Sequence, residues 1–189
     1  KQNINGSLQS LNSTITEIVG VMSHIEHGDF KQQVTVAAQD SLAQLKNSVN
    51  NSVHSLAGAV SDISRVMSAL HDGDFSQHLE QPLQGQLATL KNDINASVDN
   101  LALIIKNIND VMAAVNAGNF KQQVSCNANG LLSTLKHNIN NSIMGLDTAV
   151  SEISNVMRAI SKGNFEETID SDMNGQLNVL KDDVNSSIS

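Results

Sequence analysis

The stretch SLAQLKNSVNNSVHSLAGAVSDISRVMSALH, residues 41–71, places apolar side chains at Leu42, Leu45, Val49, Val53, Leu56, Val60, Ile63, Met67 and Leu70. The steps between them are 3, 4, 4, 3, 4, 3, 4 and 3, the spacing of one face of an α-helix. No turn signal interrupts the run. It predicts one continuous helix over about 41–71, roughly 45 Å long at 1.5 Å per residue. The two adjacent steps of 4 break an otherwise heptad seam. Such a stutter locally unwinds a left-handed supercoil and shifts the packing face. An amphipathic helix with a drifting stripe gives the same pattern.

Working outward, this helix joins two copies of one unit. Gly-[Asp/Asn]-Phe occurs at Gly28-Asp29-Phe30, Gly73-Asp74-Phe75, Gly118-Asn119-Phe120 and Gly163-Asn164-Phe165, 45 residues apart each time. All four Phe residues of the chain lie in these triplets. Leu-Lys recurs at the same period (Leu45-Lys46, Leu90-Lys91, Leu135-Lys136, Leu180-Lys181), as does an Asn preceded by Val or Ile (Asn50, Asn95, Asn140, Asn185). Val-Met pairs precede each Gly, at Val21-Met22, Val66-Met67, Val111-Met112 and Val156-Met157. The chain is four copies without a gap. The first and third share Phe-Lys-Gln-Gln-Val, whereas the second and fourth share Gly-Gln-Leu, so a larger unit of two copies is also expected.

Within a copy, Leu8, Leu11, Ile15, Ile18, Met22 and Ile25 form a heptad seam on a first helix. Gly28 should end it, as Gly does at a helix C-terminus. Residues 29 to about 40 lose the period and read as a connector; in the second copy it holds the only proline, Pro82. Joining helices equivalent to 41–71 are expected from Leu87 to Val115 and from Leu132 to Ile160. A single copy leaves most of its apolar surface wet, so its seam needs partner helices.

Composition bounds the function. The 189 residues are 40% hydrophobic, too many for a disordered chain, yet only 2% aromatic, with no Trp or Tyr. A deep small-molecule pocket is not expected from such a chain. The net charge of −8 argues against nucleic acid or an anionic membrane as partner. No apolar run is long enough to span a bilayer and no signal peptide is evident. The single cysteine, Cys126, suits a reducing compartment. Because the sequence opens on Lys1 and closes on Ser189 inside a helical pattern, it reads as a piece of a longer protein.

No catalytic set emerges. The Gly-[Asp/Asn]-Phe triplet lacks the glycine spacing and the lysine of a phosphate loop. His24 and His27 stand three apart but no further ligand completes a metal site, and they read as surface residues. Cys126 has no activating neighbour in sequence and reads as a small, buried or semi-buried residue. Gln32-Gln33 and Glu166-Glu167 read as solvated connector residues. No cofactor, metal or enzymatic activity is expected.

Helix, Gly-[Asp/Asn]-[Leu/Phe], a connector of about 13 residues and a second heptad helix together resemble the HAMP domain, the signalling linker of bacterial chemoreceptors and sensor histidine kinases. Gly28-Asp29-Phe30 matches the family's Gly-[Asp/Asn]-Leu. Asp40, Leu42 and Leu45 match its Asp-Glu-Ile-Gly-x-Leu stretch, and Val49-Asn50 its Phe-Asn. The family's Glu is replaced by Ser41, Gln86, Leu131 and Gln176, and the following Gly by Ala43, Ala88, Ser133 and Asn178. The proline that often opens the first helix is also missing, with Thr14, Ala59, Ile104 and Ala149 at about that place. The resemblance covers the chain as four concatenated units, residues 8–57, 58–102, 103–147 and 148–189. It implies an all-α fold: a parallel homodimer in which each unit is a parallel four-helix bundle, with non-helical connectors. A connector of about 13 residues reaches roughly 40 Å, enough to run back along a helix, so parallel helices are feasible; the length does not exclude antiparallel ones.

The expected bundle-core residues are Ile18, Met22, Leu45 and Val49 in the first unit and Ile63, Met67, Leu90 and Ile94 in the second. In the third they are Ile108, Met112, Leu135 and Ile139, and in the fourth Ile153, Met157, Leu180 and Val184. The connectors should be anchored by Phe30 and Val34, Phe75 and Leu79, Phe120 and Val124, and Phe165 and Ile169. Asn50, Asn95, Asn140 and Asn185 either fix register beside the seam or are solvated or locally hydrogen-bonded. The expected function is relay of a conformational change between an upstream sensor and a downstream output domain of the same chain, on the cytoplasmic side. If alternate copies rest in different packings, each junction inverts the signal. The rivals are a rigid dimeric spacer and a monomeric helical solenoid, for which a 45-residue period is typical but the long connectors are not.

Overall fold

The computed structural model describes residues 2–188, with side chains from residue 6 onward. Among these residues every regular element is an α-helix: α1 (Gln2–Glu26), α2 (Asp40–His71), α3 (Gly85–Asn116), α4 (Gly130–Ile160) and α5 (Gln176–Ile188). Ser189, the last residue of the expected fourth unit, lies outside the described residues. The long joining helix read from residues 41–71 is α2, within a residue at its start. Two compact units divide the chain, Lys1–Asn100 and Leu101–Ser189, each holding two connectors.

Each of α1 to α4 ends in the same way. At the first, the Gly28 N–H donates to the Ile25 carbonyl at 2.9 Å and the Asp29 N–H reaches back to the His24 carbonyl at 2.9 Å. This closure requires a left-handed residue, and φ is +79° at Gly28, +79° at Gly73, +78° at Gly118 and +81° at Gly163. The residue after each glycine then turns the chain: Asp29, Asp74, Asn119 and Asn164 each accept, on a side-chain oxygen, the amide N–H two positions on.

Contacts at two levels settle helix direction. At one, Glu17 of α1, connector residues Thr35 and Val36, and Lys46 of α2 meet through hydrogen bonds. At the next, Val21 of α1, Val34 of the connector and Val53 of α2 form one buried cluster, beside Asn50. From the first level to the second, α1 and α2 both advance in sequence while the connector goes backward. The two helices of a copy are therefore parallel, with the connector antiparallel to both. The alternative that connector length left open is resolved.

Within one chain the buried core centres on residues other than those expected in the two-chain bundle core. Val21, Val66, Val111 and Val156 are buried at 0–4% exposure, whereas their neighbours Met22, Met67, Met112 and Met157 are 43–51% exposed in the single chain. Leu45, Leu90, Leu135 and Leu180 are likewise 43–45% exposed. The physical reason is the connector: it packs on the face carrying the valines, one residue round from the Met stripe. Ile18, Val49, Ile63, Ile94, Ile108 and Ile139 flank the buried clusters, and Ile153 and Val184 are half-buried. Thr14, Ala59, Ile104 and Ala149, at the place of the missing proline, are buried in every copy.

Candidate functional site

The connector is a strap laid along two parallel helices, and each copy buries one of its aliphatic anchors. Val34, Leu79, Val124 and Ile169 are 1–2% exposed. Phe30, Phe75 and Phe120 pack against the clusters Val21–Val34–Val53, Val66–Leu79–Val98 and Val111–Val124–Ile143. Phe165 does not follow them; it is 59% exposed.

The repeated Asn holds the backbone of the strap. Asn50 Oδ1 accepts the Val34 N–H at 2.8 Å and its Nδ2 donates to the Val34 carbonyl at 3.0 Å. The same two-point clamp joins Asn95 to Leu79 (2.9 and 3.1 Å), Asn140 to Val124 (2.8 and 3.0 Å) and Asn185 to Ile169 (2.9 and 3.0 Å). An extended strap has no helix or sheet partner for these groups once its side chain is buried. A carboxamide offers one acceptor and one donor at the spacing a peptide unit needs.

A second clamp comes from the Lys of each Leu-Lys pair. Lys46 Nζ donates to the carbonyls of Thr35 and Val36, Lys91 to Glu80 and Gln81, Lys136 to Ser125 and Cys126, and Lys181 to Asp170 and Ser171, all at 2.8–3.4 Å. Sequence reading registered this Lys as a recurrence without a role. The signal that would have found it is its fixed offset of 11 and 10 from two connector residues.

A third clamp, from the first helix, escaped sequence reading because its residue type varies: Glu17, Asp62, Asn107 and Glu152. Glu17 accepts the amide N–H groups of Thr35 at 2.8 Å and Val36 at 2.7 Å and the Thr35 hydroxyl at 2.6 Å. These bonds, the Thr35 hydroxyl foremost, hold the Glu17 carboxyl below its ordinary pKa. Asp29 and Asp74 are also lowered, by the Lys31 amide and the Ser76 hydroxyl respectively.

The remaining candidates have local partners. His24 Nδ1 lies 3.3 Å from Asp29, and His27 Nδ1 lies 2.7 Å from the Ser23 carbonyl. Cys126 is half-buried against the third cluster. Gln32 donates to Asp29 at 3.3 Å, and the Glu166 amide donates to Asn164. Among the described residues no group of His, Cys, Asp or Glu could hold a metal, and no helix is long and apolar enough to cross a membrane. A groove of about 700 Å³ beside the fourth connector is lined by Met144, Leu146, Met173 and Leu177. Its counterparts recur in the first copy at Leu42 and in the second at Leu56 and Leu87, so it belongs to the construction of the repeat. What the arrangement can do is mechanical: a strap with discrete clamps can hold two parallel helices in one register.

Comparison with models of known families matches residues 8–58 to the HAMP domain and, separately, residues 146–189 to the HAMP domain. No curated protein matches the chain, and no solved structure does.

Proposed function

Because the chain belongs to the HAMP domain family, as a tandem array whose members are signalling linkers, we propose that it relays a conformational change between a sensor upstream and an output domain downstream in a bacterial receptor. The receptor is of the chemotaxis or two-component type, and the array lies on its cytoplasmic side. The working form is a parallel homodimer, with units at 8–57, 58–102, 103–147 and 148–189. Each unit is a four-helix bundle made of two helices from each chain. The array itself catalyses nothing.

One observation carries this reading. The single chain leaves a row of apolar residues uncovered on the side away from the strap: Met22, Leu45, Met67 and Leu90, 43–51% exposed, and their counterparts in the later copies. A second copy in parallel brings the same row to the same height, and the heptad spacing lets the two rows interlock. α2 and α4 each run unbroken from one unit into the next. A change of packing in one bundle therefore reaches its neighbour through a rigid element.

The test is output bias in a receptor carrying the array. Phe75→Ala loosens one strap without touching the exposed row. The relay reading expects output locked toward one state. If stability falls while output bias stays unchanged, the array is a spacer.

A further inference from the structure

The clamp from the first helix is not the same in all four copies, and its differences follow a pattern. In the first copy Glu17 takes two backbone N–H groups and a hydroxyl. In the third, Asn107 Oδ1 takes the N–H groups of Ser125 at 2.9 Å and Cys126 at 3.2 Å. In the second, Asp62 takes only the Gln81 N–H, at 3.2 Å. In the fourth, Glu152 takes only the Ser171 hydroxyl, and its Oε2 is buried without a partner. The amides of Glu80 and Asp170 make no bond to this clamp, unlike those of Thr35 and Ser125.

The cause is legible at the residue the clamp must hold. In the odd copies that residue is Thr35 or Ser125, and the Thr35 hydroxyl donates to the clamp. In the even copies the same position is Glu80 or Asp170, an acid placed beside another acid, Asp62 or Glu152. An ionised carboxylate is an acceptor only, so neither member of such a pair can donate to the other. Like charges also oppose the approach that two backbone bonds would need. The other charged groups nearby only partly offset this. Arg65 lies 3.7 Å from Asp62, but its guanidinium also donates to Gln77 and the His78 carbonyl. Lys91 and Lys181 are engaged with backbone carbonyls of the strap.

We infer that the array is built with two grades of strap: closed in the first and third copies, and poised to release in the second and fourth. The Asn and Lys clamps are common to all four copies, so of the three clamps only the first-helix one differs. The even straps open first, and position 80 or 170 sets that order.

Amide hydrogen exchange on the whole chain at neutral pH tests this without any sensor or output domain, so its failure leaves the relay reading standing. The amides of residues 35, 36, 125 and 126 should exchange about tenfold more slowly, relative to their free-peptide rates, than those of 80, 81, 170 and 171, the loss of one or two modest hydrogen bonds. Glu80→Thr with Asp170→Thr should raise protection at Gln81 and Ser171 toward the odd-copy level. Thr35→Glu should lower it at Val36 while leaving Cys126 unchanged. Equal protection in all four copies, or exchange at Gln81 and Ser171 that ignores the Thr substitutions, overturns the inference.

Discussion

Asn50 holds the backbone of Val34 at both its N–H and its carbonyl, 2.8 and 3.0 Å away, across 16 residues of sequence. Val34 is 1% exposed, so the clamp and the core anchor are the same point of the strap. Removing the carboxamide leaves a part-buried donor and acceptor without partners. Asn50→Ala and Asn140→Ala should each destabilise by about 1–3 kcal/mol, read by thermal unfolding followed by circular dichroism. Asn50→Asp keeps the acceptor but sets a carboxylate oxygen against the Val34 carbonyl, so it should not rescue. Stability unchanged in Asn50→Ala would mean that water replaces the clamp at no cost.

The strap anchor Leu79 and the exposed helix residue Met67 should respond to different assays. Leu79→Ala removes a side chain that is 2% exposed within one chain. It should lower folding stability by about 2–5 kcal/mol. Met67→Ala alters a residue that is 43% exposed in the single chain. It should weaken self-association, seen as a shift of the monomer–dimer midpoint in sedimentation, with little loss of helicity in the dimer.

Asp40 is the only described non-glycine residue with positive φ, at +51°. Its counterparts in the other copies are Gly85, Gly130 and Gly175, at +56° to +58°. The left-handed backbone costs an L-residue about 1–2 kcal/mol, less for Asp than for most. Asp40→Gly should therefore stabilise the first copy, by up to about 1 kcal/mol in chemical denaturation. A destabilised variant would mean that the Asp40 carboxylate contributes more than the strain costs.

The Glu17 clamp should depend on acid. Its carboxyl is lowered in the folded chain, chiefly by the Thr35 hydroxyl and then the Val36 amide. A depressed carboxylate contributes stability that is fully present above its unfolded value. That stability is lost as pH falls through the folded one, so the window lies below the ordinary carboxylate range. Protection of residues 35 and 36 should be constant from about pH 5 to 8 and fall at lower pH. Asn107 does not titrate, so protection of residues 125 and 126 should not fall through this clamp. Glu17→Gln should remove the acid dependence in the first copy.

Much of this architecture was legible in the sequence. Period, helix bounds and glycine caps follow from spacing and residue type, and Val34, Leu79, Val124 and Ile169, expected to anchor the connector, are 1–2% exposed. Which of Val21 or Met22 enters the single-chain core did not, because both lie near one helical stripe and only the strap's path separates them. The clamps were missed for different reasons. Asn50 recurs visibly, but its partner is a backbone group, which carries no sequence signature. Glu17, Asp62, Asn107 and Glu152 do not recur as a residue type; what they share is an acceptor oxygen. Phe165 matches its motif but is 59% exposed, whereas Phe30, Phe75 and Phe120 pack on their clusters.

The central claim is that the exposed Met row is the seam of a parallel dimer. Cysteine cross-linking tests it most directly. In a chain with Cys126→Ser, Met67→Cys is oxidised and the mass of the product is read. The account predicts a disulfide-linked dimer formed through residue 67 of both chains, and the same result for Met22→Cys, Met112→Cys and Met157→Cys in turn. A chain that stays at 20.2 kDa through all four substitutions would contradict it.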